Sequence, residues 1–310
     1  MATDSILGAL DVVVVPRRRS ERSILSDYWA LTKPEINFLL ALTTAAAFCI
    51  GSPAALSHFP WTALLHTLLG TVLVASGAGT LNQWVERSFD AQMRRTARRP
   101  IAAGRIAAPH ALIFGMLLSL AGSLYSALAV RPAASLLALI TLAGYLFLYT
   151  PLKRRTPMCT LVGAFLGAMP VLIGYVAAAG KLASQAWLLY AILFLWQFPH
   201  FMAIAWMYRQ DYARARYLVL PLGEKSGRFM AWQSVLPALA LLPVTLSPQL
   251  LGRSSLTYTV GAFLVSSIFA YFAAQLALRR SNTAARRLLL ASILYLPLLF
   301  GLTLVTKRFL

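Results

Sequence analysis

"LLHTLLGTVLVASGAGTL", residues 64–81, runs directly into "NQWVERSFDAQMRRTARRP", residues 82–100. The first stretch is uncharged and mostly apolar, whereas the second holds two acids and five arginines. A helix that crosses a bilayer needs about 20 mostly apolar residues, because no water is present there to satisfy its backbone amides. The junction therefore indicates a membrane-spanning helix that ends in a charged segment at the aqueous face.

The same alternation of apolar runs and short basic segments extends along the chain. Of its 310 residues, 59% are hydrophobic and 12% are charged, and the mean hydropathy is +0.70. These values exclude an ordinary soluble domain. The sequence therefore predicts an all-α integral membrane protein, a bundle of nine transmembrane helices. The predicted spans are 36–56, 61–84, 107–129, 132–150, 158–179, 185–207, 231–251, 257–278 and 288–306.

The basic residues predict the orientation of this bundle. Short cytoplasmic loops of membrane proteins carry an excess of Lys and Arg. With the N-terminus inside, 23 of the 28 basic residues and all nine acids fall on the cytoplasmic side. The net charge of +19 thus follows from topology and lipid contact, and it requires no nucleic-acid partner.

The N-terminal segment predicts a cytoplasmic tail, residues 1–26, before a single transmembrane domain, residues 27–310. Asp11 interrupts its apolar stretch, and the basic cluster follows that stretch instead of preceding it, which is the wrong order for a secretory signal. We expect a bacterial inner membrane, with an organellar membrane as the open alternative. Cys49 and Cys159 lie in apolar helices and predict neither a disulfide nor a metal framework.

Asn82, Glu86 and Asp90 recur every four residues and span only about 80° of one helix face. One interpretation is a solvated helix end in which Asp90 pairs with Arg94. Against it, Glu86 and Asp90 are a like-charge pair, unfavourable by about 0.2 to 0.5 kcal/mol without a cation between them. Carboxylate and amide oxygens suit Mg²⁺, which commonly bridges carboxylates to substrate phosphates. Spacing alone leaves both interpretations open.

Two further polar clusters follow even-numbered helices and therefore lie at the same membrane face. Asp211 follows the sixth predicted helix in "YRQDYARARYLVLP", and Lys153 follows the fourth in "YTPLKRRTP". A prenyl diphosphate fits this pattern, because its anionic head needs metal and cationic groups while its hydrocarbon tail suits an apolar bundle.

Over residues 27–300 the sequence resembles the protohaem IX farnesyltransferases, a branch of the UbiA-type membrane prenyltransferases. The motifs that carry the resemblance are "DYWALTKPEIN", "NQWVERSFDAQMRRTARRPIAAGRI", "YTPLKRRTP" followed by "GAFLGAMPVLIGY", and "WQFPHF" with "DYARARYLVLP". The resemblance implies a nine-helix UbiA-type fold. It also implies farnesyl transfer from farnesyl diphosphate to a vinyl group of haem b, giving haem O and diphosphate, with water capturing the intermediate cation. Glu35, where a basic residue is expected, and Arg216, where a small residue is common, depart from the family pattern.

The resemblance implies a Mg²⁺-dependent reaction in which the metal neutralises the departing diphosphate. The expected metal ligands are Asn82, Glu86 and Asp90, with Asp211 at a possible second ion. Lys153 and Tyr149 complete the expected catalytic set.

The remaining expected site residues contact the substrates. Cations would clamp the diphosphate, and aromatic rings would stabilise the allylic cation by cation–π attraction of about 0.5 to 2 kcal/mol each. His200, beside Pro199, is a candidate for haem contact, with a structural hydrogen bond as the alternative. The expected clamp is Lys33, Arg95, Arg99, Lys153 and Arg155, and the expected rings are those of Trp84, Tyr149, Tyr208 and Tyr212.

Three alternatives remain open at the sequence level. The nearest is a UbiA-type prenyltransferase with an aromatic or quinone-precursor acceptor. A secondary transporter is disfavoured, because the acids lie at one membrane face instead of the midplane. A non-catalytic haem-oxidase assembly factor leaves the spacing of Asn82, Glu86 and Asp90 unexplained. Expected partners are the two substrates, the bilayer and a downstream haem-modifying enzyme or haem-copper oxidase assembly.

Overall fold

A computed structural model describes residues 23–54, 56–221, 227–250 and 254–306. The described residues are helical, with no strand among them. Most of the predicted tail, and the charged residues Glu224, Lys225, Arg253, Lys307 and Arg308, lie outside the described residues. The helices are α1 Ile24–Leu31, α2 Pro34–Gly51, α3 Trp61–Asp90, α4 Ala108–Ala129, α5 Pro132–Ala143, α6 Thr150–Leu152, α7 Cys159–Gly167, α8 Met169–Ala179, α9 Ser184–Met207, α10 Arg209–Arg214, α11 Arg228–Leu250, α12 Leu256–Arg279 and α13 Asn282–Thr306, with a 3₁₀ turn at Leu56–His58 and a π-helical segment at Gly144–Tyr149.

Nine spans in the described part of the chain are long and apolar enough to cross a membrane. Their outer surface is apolar, as at Leu128, which is 80% exposed, and Phe147, which is 76% exposed. Threonine and serine side chains instead lie inside the bundle. This inverted distribution is that of a protein whose solvent is lipid, and it confirms the predicted integral membrane fold.

Two predicted boundaries differ from the observed ones for identifiable reasons. The first span ends at Gly51 and not at 56, because Pro53 favours extended backbone at the preceding Ser52, which has ψ 124°. The second span continues to Asp90 instead of ending at 84. Its last turns are polar but helical, so the polar residues of α3 remain in one register.

The spans form two neighbouring groups. In the N-terminal group α3 packs on α2 and α4, α4 packs on α5, and α8 packs on both α2 and α5. In the C-terminal group α9, α11, α12 and α13 pack around each other. Contacts of α2 with α9 and α13, and of α8 with α9, join the two groups. One large apolar cluster runs through this junction.

Small residues allow several of these helices to approach closely. An ideal Cβ built on Gly174 of α8 would lie 2.2 Å from the carbonyl oxygen of Thr44 in α2. A Cβ on Gly77 of α3 would lie 2.7 Å from the backbone nitrogen of Ser119 in α4. Such contacts stabilise membrane helices because packing, and not water exclusion, drives their association.

The fourth span leaves α-helical geometry at the π-helical segment Gly144–Tyr149. The Tyr145 and Tyr149 rings stack at 5.3 Å on its inner side, and the Thr150 hydroxyl donates to the Tyr145 carbonyl at 2.8 Å. Single π-helical turns occur frequently at functional sites. Here the segment places both rings beside Lys153.

Candidate active site

Asn82, Glu86 and Asp90 lie on one face of α3 and are all buried, with exposed fractions of 1%, 4% and 1%. Because α3 runs through Asp90, the four-residue spacing keeps them in one narrow stripe. The interpretation of a solvated helix end is therefore wrong. Asp90 also pairs with Arg99 and not with Arg94. We call these three residues the polar stripe of α3.

Each residue of the polar stripe binds a cation from a different segment of the chain. Lys33 Nζ donates to Asn82 Oδ1 at 2.8 Å, and Lys153 Nζ donates to Glu86 Oε1 at 2.7 Å. Arg99 Nη1 donates to both oxygens of Asp90, at 2.8 and 2.7 Å. The fold thus assembles three of the predicted clamp residues at the predicted metal ligands. The three cations are Lys33, Lys153 and Arg99.

Two features allow Lys33 to reach the polar stripe: its left-handed backbone and the small Gly79 beside its side chain. It has a left-handed backbone with φ 56° and precedes Pro34, the first residue of α2. Its aliphatic stem runs beside Gly79, where an ideal Cβ would lie 3.4 Å from Lys33 Cδ. Left-handed backbone at a non-glycine residue costs roughly 1 to 2 kcal/mol. The packed site therefore maintains a strained turn that directs the ammonium inward.

The two lysines differ in their electrostatic surroundings. Burial, together with the Arg99 guanidinium, lowers the pKa of Lys33 to about 7. Burial would also lower the pKa of Lys153, but the Glu86 carboxylate and two tyrosines outweigh it and hold that pKa well above its usual range. Lys153 is thus a permanent cation of the site.

An aromatic wall surrounds the Lys153 ammonium. Its Nζ lies 4.6 Å from the centre of the Tyr149 ring, 5.9 Å from that of Tyr217 and 6.0 Å from that of Tyr145. Burial, followed by the nearby Glu86 carboxylate, raises the pKa of Tyr217 above its usual value. The sequence motifs predicted a role for Tyr149 but not for the other two rings. Tyr217 ends the "DYARARY" motif and Tyr145 lies four residues before Tyr149. The position of each residue was therefore a weak indication that it belongs to the site.

Asp211 does not join the polar stripe. Its carboxylate accepts the backbone N–H groups of Arg94 and Arg95, each at 3.4 Å, and forms an ion pair with Arg214. Burial would raise the pKa of Asp211, but the hydrogen bonds from Arg214 and the two backbone groups lower it. No three His, Cys, Asp or Glu side chains in the described ranges lie close enough to share a metal ion. In this structure the Asp211 carboxylate anchors the loop that follows α3, and its role at a second ion stays a prediction.

Two predicted contact residues lie away from the stripe. Trp84 packs with Tyr28, Leu31 and Phe114 in a separate apolar cluster, since two residues along α3 correspond to a rotation of about 200°. His200 Nδ1 hydrogen-bonds Ser292 Oγ of α13 at 2.8 Å. The structure thus favours the structural alternative for His200 and does not bring Trp84 to the site.

The other predicted residues lie in or beside the segments that follow the second, fourth and sixth spans. The Arg95 guanidinium lies 5.1 Å from the centre of the Tyr208 ring, and the Tyr212 ring lies 6.2 Å from that of Tyr217. Arg155 is exposed.

A cavity of about 190 Å³ adjoins the stripe through Tyr149, which both lines the cavity and contacts Lys153. Its lining is mostly aromatic and aliphatic, with a few polar groups. Such a chamber suits the reactive end of an apolar substrate whose charged head binds at the stripe. The lining residues are Arg95, Tyr149, Cys159, Thr160, Phe201, Ile204, Tyr212 and Val219.

The chain is similar to curated proteins along most of its length. The chain is 48% identical over 289 residues to a protoheme IX farnesyltransferase of Solibacter usitatus, covering 91% of this chain and 99% of that one. It is 44% identical to the protein of that name from Salinibacter ruber, with the same coverage of both chains. A mitochondrial protoheme IX farnesyltransferase of Arabidopsis thaliana is 35% identical, over 87% of this chain and 62% of that one.

Solved structures share the fold at low identity. A digeranylgeranylglyceryl phosphate synthase superimposes with a TM-score of 0.72 at 17% identity, covering 92% of this chain and 99% of that one. A UbiA homologue from Archaeoglobus fulgidus bound to GPP and Mg²⁺ superimposes with a TM-score of 0.62 at 15% identity, covering 89% and 99%. The model of the UbiA prenyltransferase family matches residues 39–298. The chain is therefore a member of the UbiA prenyltransferase family.

Proposed function

We propose that this chain transfers a farnesyl group from farnesyl diphosphate to a vinyl group of haem b, giving haem O and diphosphate. The curated relatives that share 35% to 48% identity with it bear the name of this activity. The observation that carries the proposal is the buried polar stripe with its three cations, directly beside an aromatic cavity. A diphosphate head and a prenyl chain need these two environments side by side.

The diphosphate binds at the stripe. Three cations there face two carboxylates, so the site keeps an excess of positive charge when Lys33 is protonated. Charge-assisted hydrogen bonds to phosphate oxygens are roughly twice as strong as neutral ones. The ammonium groups and the Arg99 guanidinium exchange their protein partners for diphosphate oxygens as the substrate enters.

The donor set of the stripe fits Mg²⁺, since it consists of two carboxylates and one amide oxygen on a single helix face. Asn82, Glu86 and Asp90 would hold the ion. When bound, Mg²⁺ supplies Lewis-acid stabilisation of the leaving diphosphate. Lys33, Lys153 and Arg99, which pair with these oxygens in the structure, would pair with the diphosphate oxygens instead.

The aromatic chamber stabilises the electron-poor allylic fragment. The Tyr149 and Tyr212 rings line it, and each cation–π contact contributes about 0.5 to 2 kcal/mol. The apolar side chains of Phe201, Ile204 and Val219 line the cavity and shield the first prenyl carbons from water. The haem vinyl group attacks as an alkene, so no strong general base is needed to begin the reaction.

We place the stripe at the cytoplasmic face of a bacterial inner membrane, with the N-terminus inside, because the positive charge concentrates there. Farnesyl diphosphate reaches the site from that side, and haem enters from the bilayer. Haem O then passes to a downstream haem-modifying enzyme or to haem-copper oxidase assembly.

Pigment analysis of membranes from cells expressing the chain tests this function. We expect haem O to accumulate when haem b and farnesyl diphosphate are supplied, to disappear on chelation and to return with Mg²⁺. A farnesylated aromatic or quinone precursor in place of haem O would refute the proposed acceptor. Activity that persists after complete chelation would refute the proposed requirement for Mg²⁺.

A further inference from the structure

The segment just before Lys33 is bound by Gln83, the residue that follows Asn82 on α3. Gln83 is 2% exposed, and its amide nitrogen donates to the carbonyl oxygens of Leu31 at 3.0 Å and of Ala30 at 3.4 Å. Both carbonyls lie at the C-terminal end of α1, where the last backbone acceptors have no partner within the helix. Gln83 therefore fixes the end of α1 to α3 directly before Lys33.

A second amide, that of Asn37 in α2, binds the next carbonyl. Asn37 is 6% exposed, and its amide nitrogen donates to the Thr32 carbonyl and to Ser76 Oγ of α3, each at 2.8 Å. The carbonyls of residues 30–32, all three that precede Lys33, thus accept hydrogen bonds from buried side-chain amides. Lys33 has a left-handed backbone with φ 56°, a conformation that non-glycine residues keep only with support from their surroundings. The two amides supply that support.

Neighbouring residues of α3 thus hold Lys33 at both ends. Asn82 Oδ1 accepts a hydrogen bond from Lys33 Nζ at 2.8 Å, whereas Gln83 binds the backbone before Lys33. These two contacts respond differently to the substrate. Under the proposed function, Asn82 Oδ1 turns to the metal and the ammonium turns to the diphosphate, so their contact ends when the donor binds. The contact of Gln83 involves neither atom and persists.

We propose that Gln83 and Asn37 are positioning residues for the prenyl diphosphate and act through Lys33. They keep the turn at Lys33 in its strained form after the ammonium leaves Asn82, so the cation already lies where the diphosphate binds. A group that is ordered before binding loses less conformational entropy when the ligand arrives. This role rests on the proposed function, because it requires an anionic donor at the polar stripe.

Gln83→Met tests the proposal, because methionine keeps the length of the side chain and removes its N–H donors. We expect the dissociation constant for farnesyl diphosphate to increase about fivefold, the usual effect of one lost hydrogen bond. Titration calorimetry of the detergent-purified protein with Mg²⁺ present measures it. Asn37→Leu should have an effect of similar size. In a Lys33→Ala background neither substitution should weaken donor binding further, because the residue through which both act is absent.

Gln197→Met is the matched control. Gln197 is also buried, at 4% exposed, and its amide also donates to two backbone carbonyls, those of Ala164 and Leu193, at 3.0 and 3.1 Å. These bonds join α9 to α7 and do not involve the turn at Lys33. Any effect of Gln197→Met on donor binding should therefore be the same in the wild-type and Lys33→Ala backgrounds. Melting temperatures of all variants separate lost stability from lost positioning.

The comparison of the two backgrounds separates the outcomes. An equal fold-increase in the dissociation constant with and without Lys33 overturns the proposal, because the two amides would then act on the fold alone. Unchanged donor binding by both single variants overturns it too, and so does failure of both to fold. Failure of the wild-type chain to bind farnesyl diphosphate is a separate result, which refutes the proposed function itself.

Discussion

Glu86 Oε1 and Lys153 Nζ lie 2.7 Å apart in an ion pair whose side chains are only 5% and 11% exposed. The pair joins the second span to the end of the fourth, which are 67 residues apart in sequence. A buried ion pair contributes little net stability, but removal of one partner is costly because the other charge remains desolvated. Because the pair contributes little net stability, a bound substrate can displace Lys153 from Glu86.

Glu86→Ala should abolish haem O formation and destabilise the protein by roughly 3 to 5 kcal/mol, because Lys153 is left buried and unpaired. Thermal unfolding in detergent, together with haem O content in membranes, measures both effects. Glu86→Gln retains an acceptor for Lys153, so it should lose activity with a smaller loss of stability. Asp90→Ala should also be inactive. Full activity of both alanine variants would contradict the proposed metal site.

Lys33→Ala should weaken binding of the prenyl donor, with an increase of about tenfold or more in its apparent KM, because a charge-assisted hydrogen bond to diphosphate is lost. Initial rates against farnesyl diphosphate concentration provide the measurement. Lys181→Ala is the control, since Lys181 lies in a loop at the predicted opposite membrane face. An unchanged donor KM would remove Lys33 from the diphosphate clamp.

Gly174→Ala should destabilise the bundle by about 1 to 3 kcal/mol, the usual cost of overpacking. The added Cβ would lie 2.2 Å from a backbone oxygen of α2, which cannot move as a flexible side chain can. Gly301→Ala is the matched control, because it is also helical and an ideal Cβ there meets no atom within 4 Å. Equal melting temperatures for the two variants would show that α2 and α8 pack less closely than described.

Arg216→Gly should stabilise the protein by about 1 kcal/mol, because Arg216 has a left-handed backbone with φ 54°. Arg216 follows α10 in a Schellman motif, in which Tyr217 N donates to Tyr212 O at 2.8 Å and Arg216 N donates to Ala213 O at 3.1 Å. This geometry explains why a small residue is expected at the position. Arg216→Ala removes the guanidinium but keeps the Cβ, so a similar gain in that variant would contradict the backbone explanation.

Local sequence was sufficient to predict the spans and the polar stripe. The apolar runs predicted all nine spans with boundaries within six residues of the observed ones, because a bilayer fixes the length of a helix that crosses it. The four-residue spacing predicted that Asn82, Glu86 and Asp90 share a face, because helical periodicity needs no knowledge of other segments.

The surroundings of Asp211 and Trp84 depend on contacts with other segments of the chain, which local sequence does not reveal. The motif of Asp211 resembles a second metal site, but its carboxylate is occupied by the loop after α3. Trp84 is close to the stripe in sequence but lies on another side of the same helix. The two tyrosines missed beside Lys153 owe their places to a π-helical segment and to a left-handed turn, both of which are local departures from regular geometry.

The sequence by itself thus determined that this chain is a nine-span helical membrane protein with a stripe of oxygen ligands at one helix end, since hydropathy and helical period are local properties. Only the tertiary structure decided which cation meets each ligand and which rings surround Lys153. Lys33, Lys153 and Arg99 come from three separate segments, and their convergence depends on how whole helices pack.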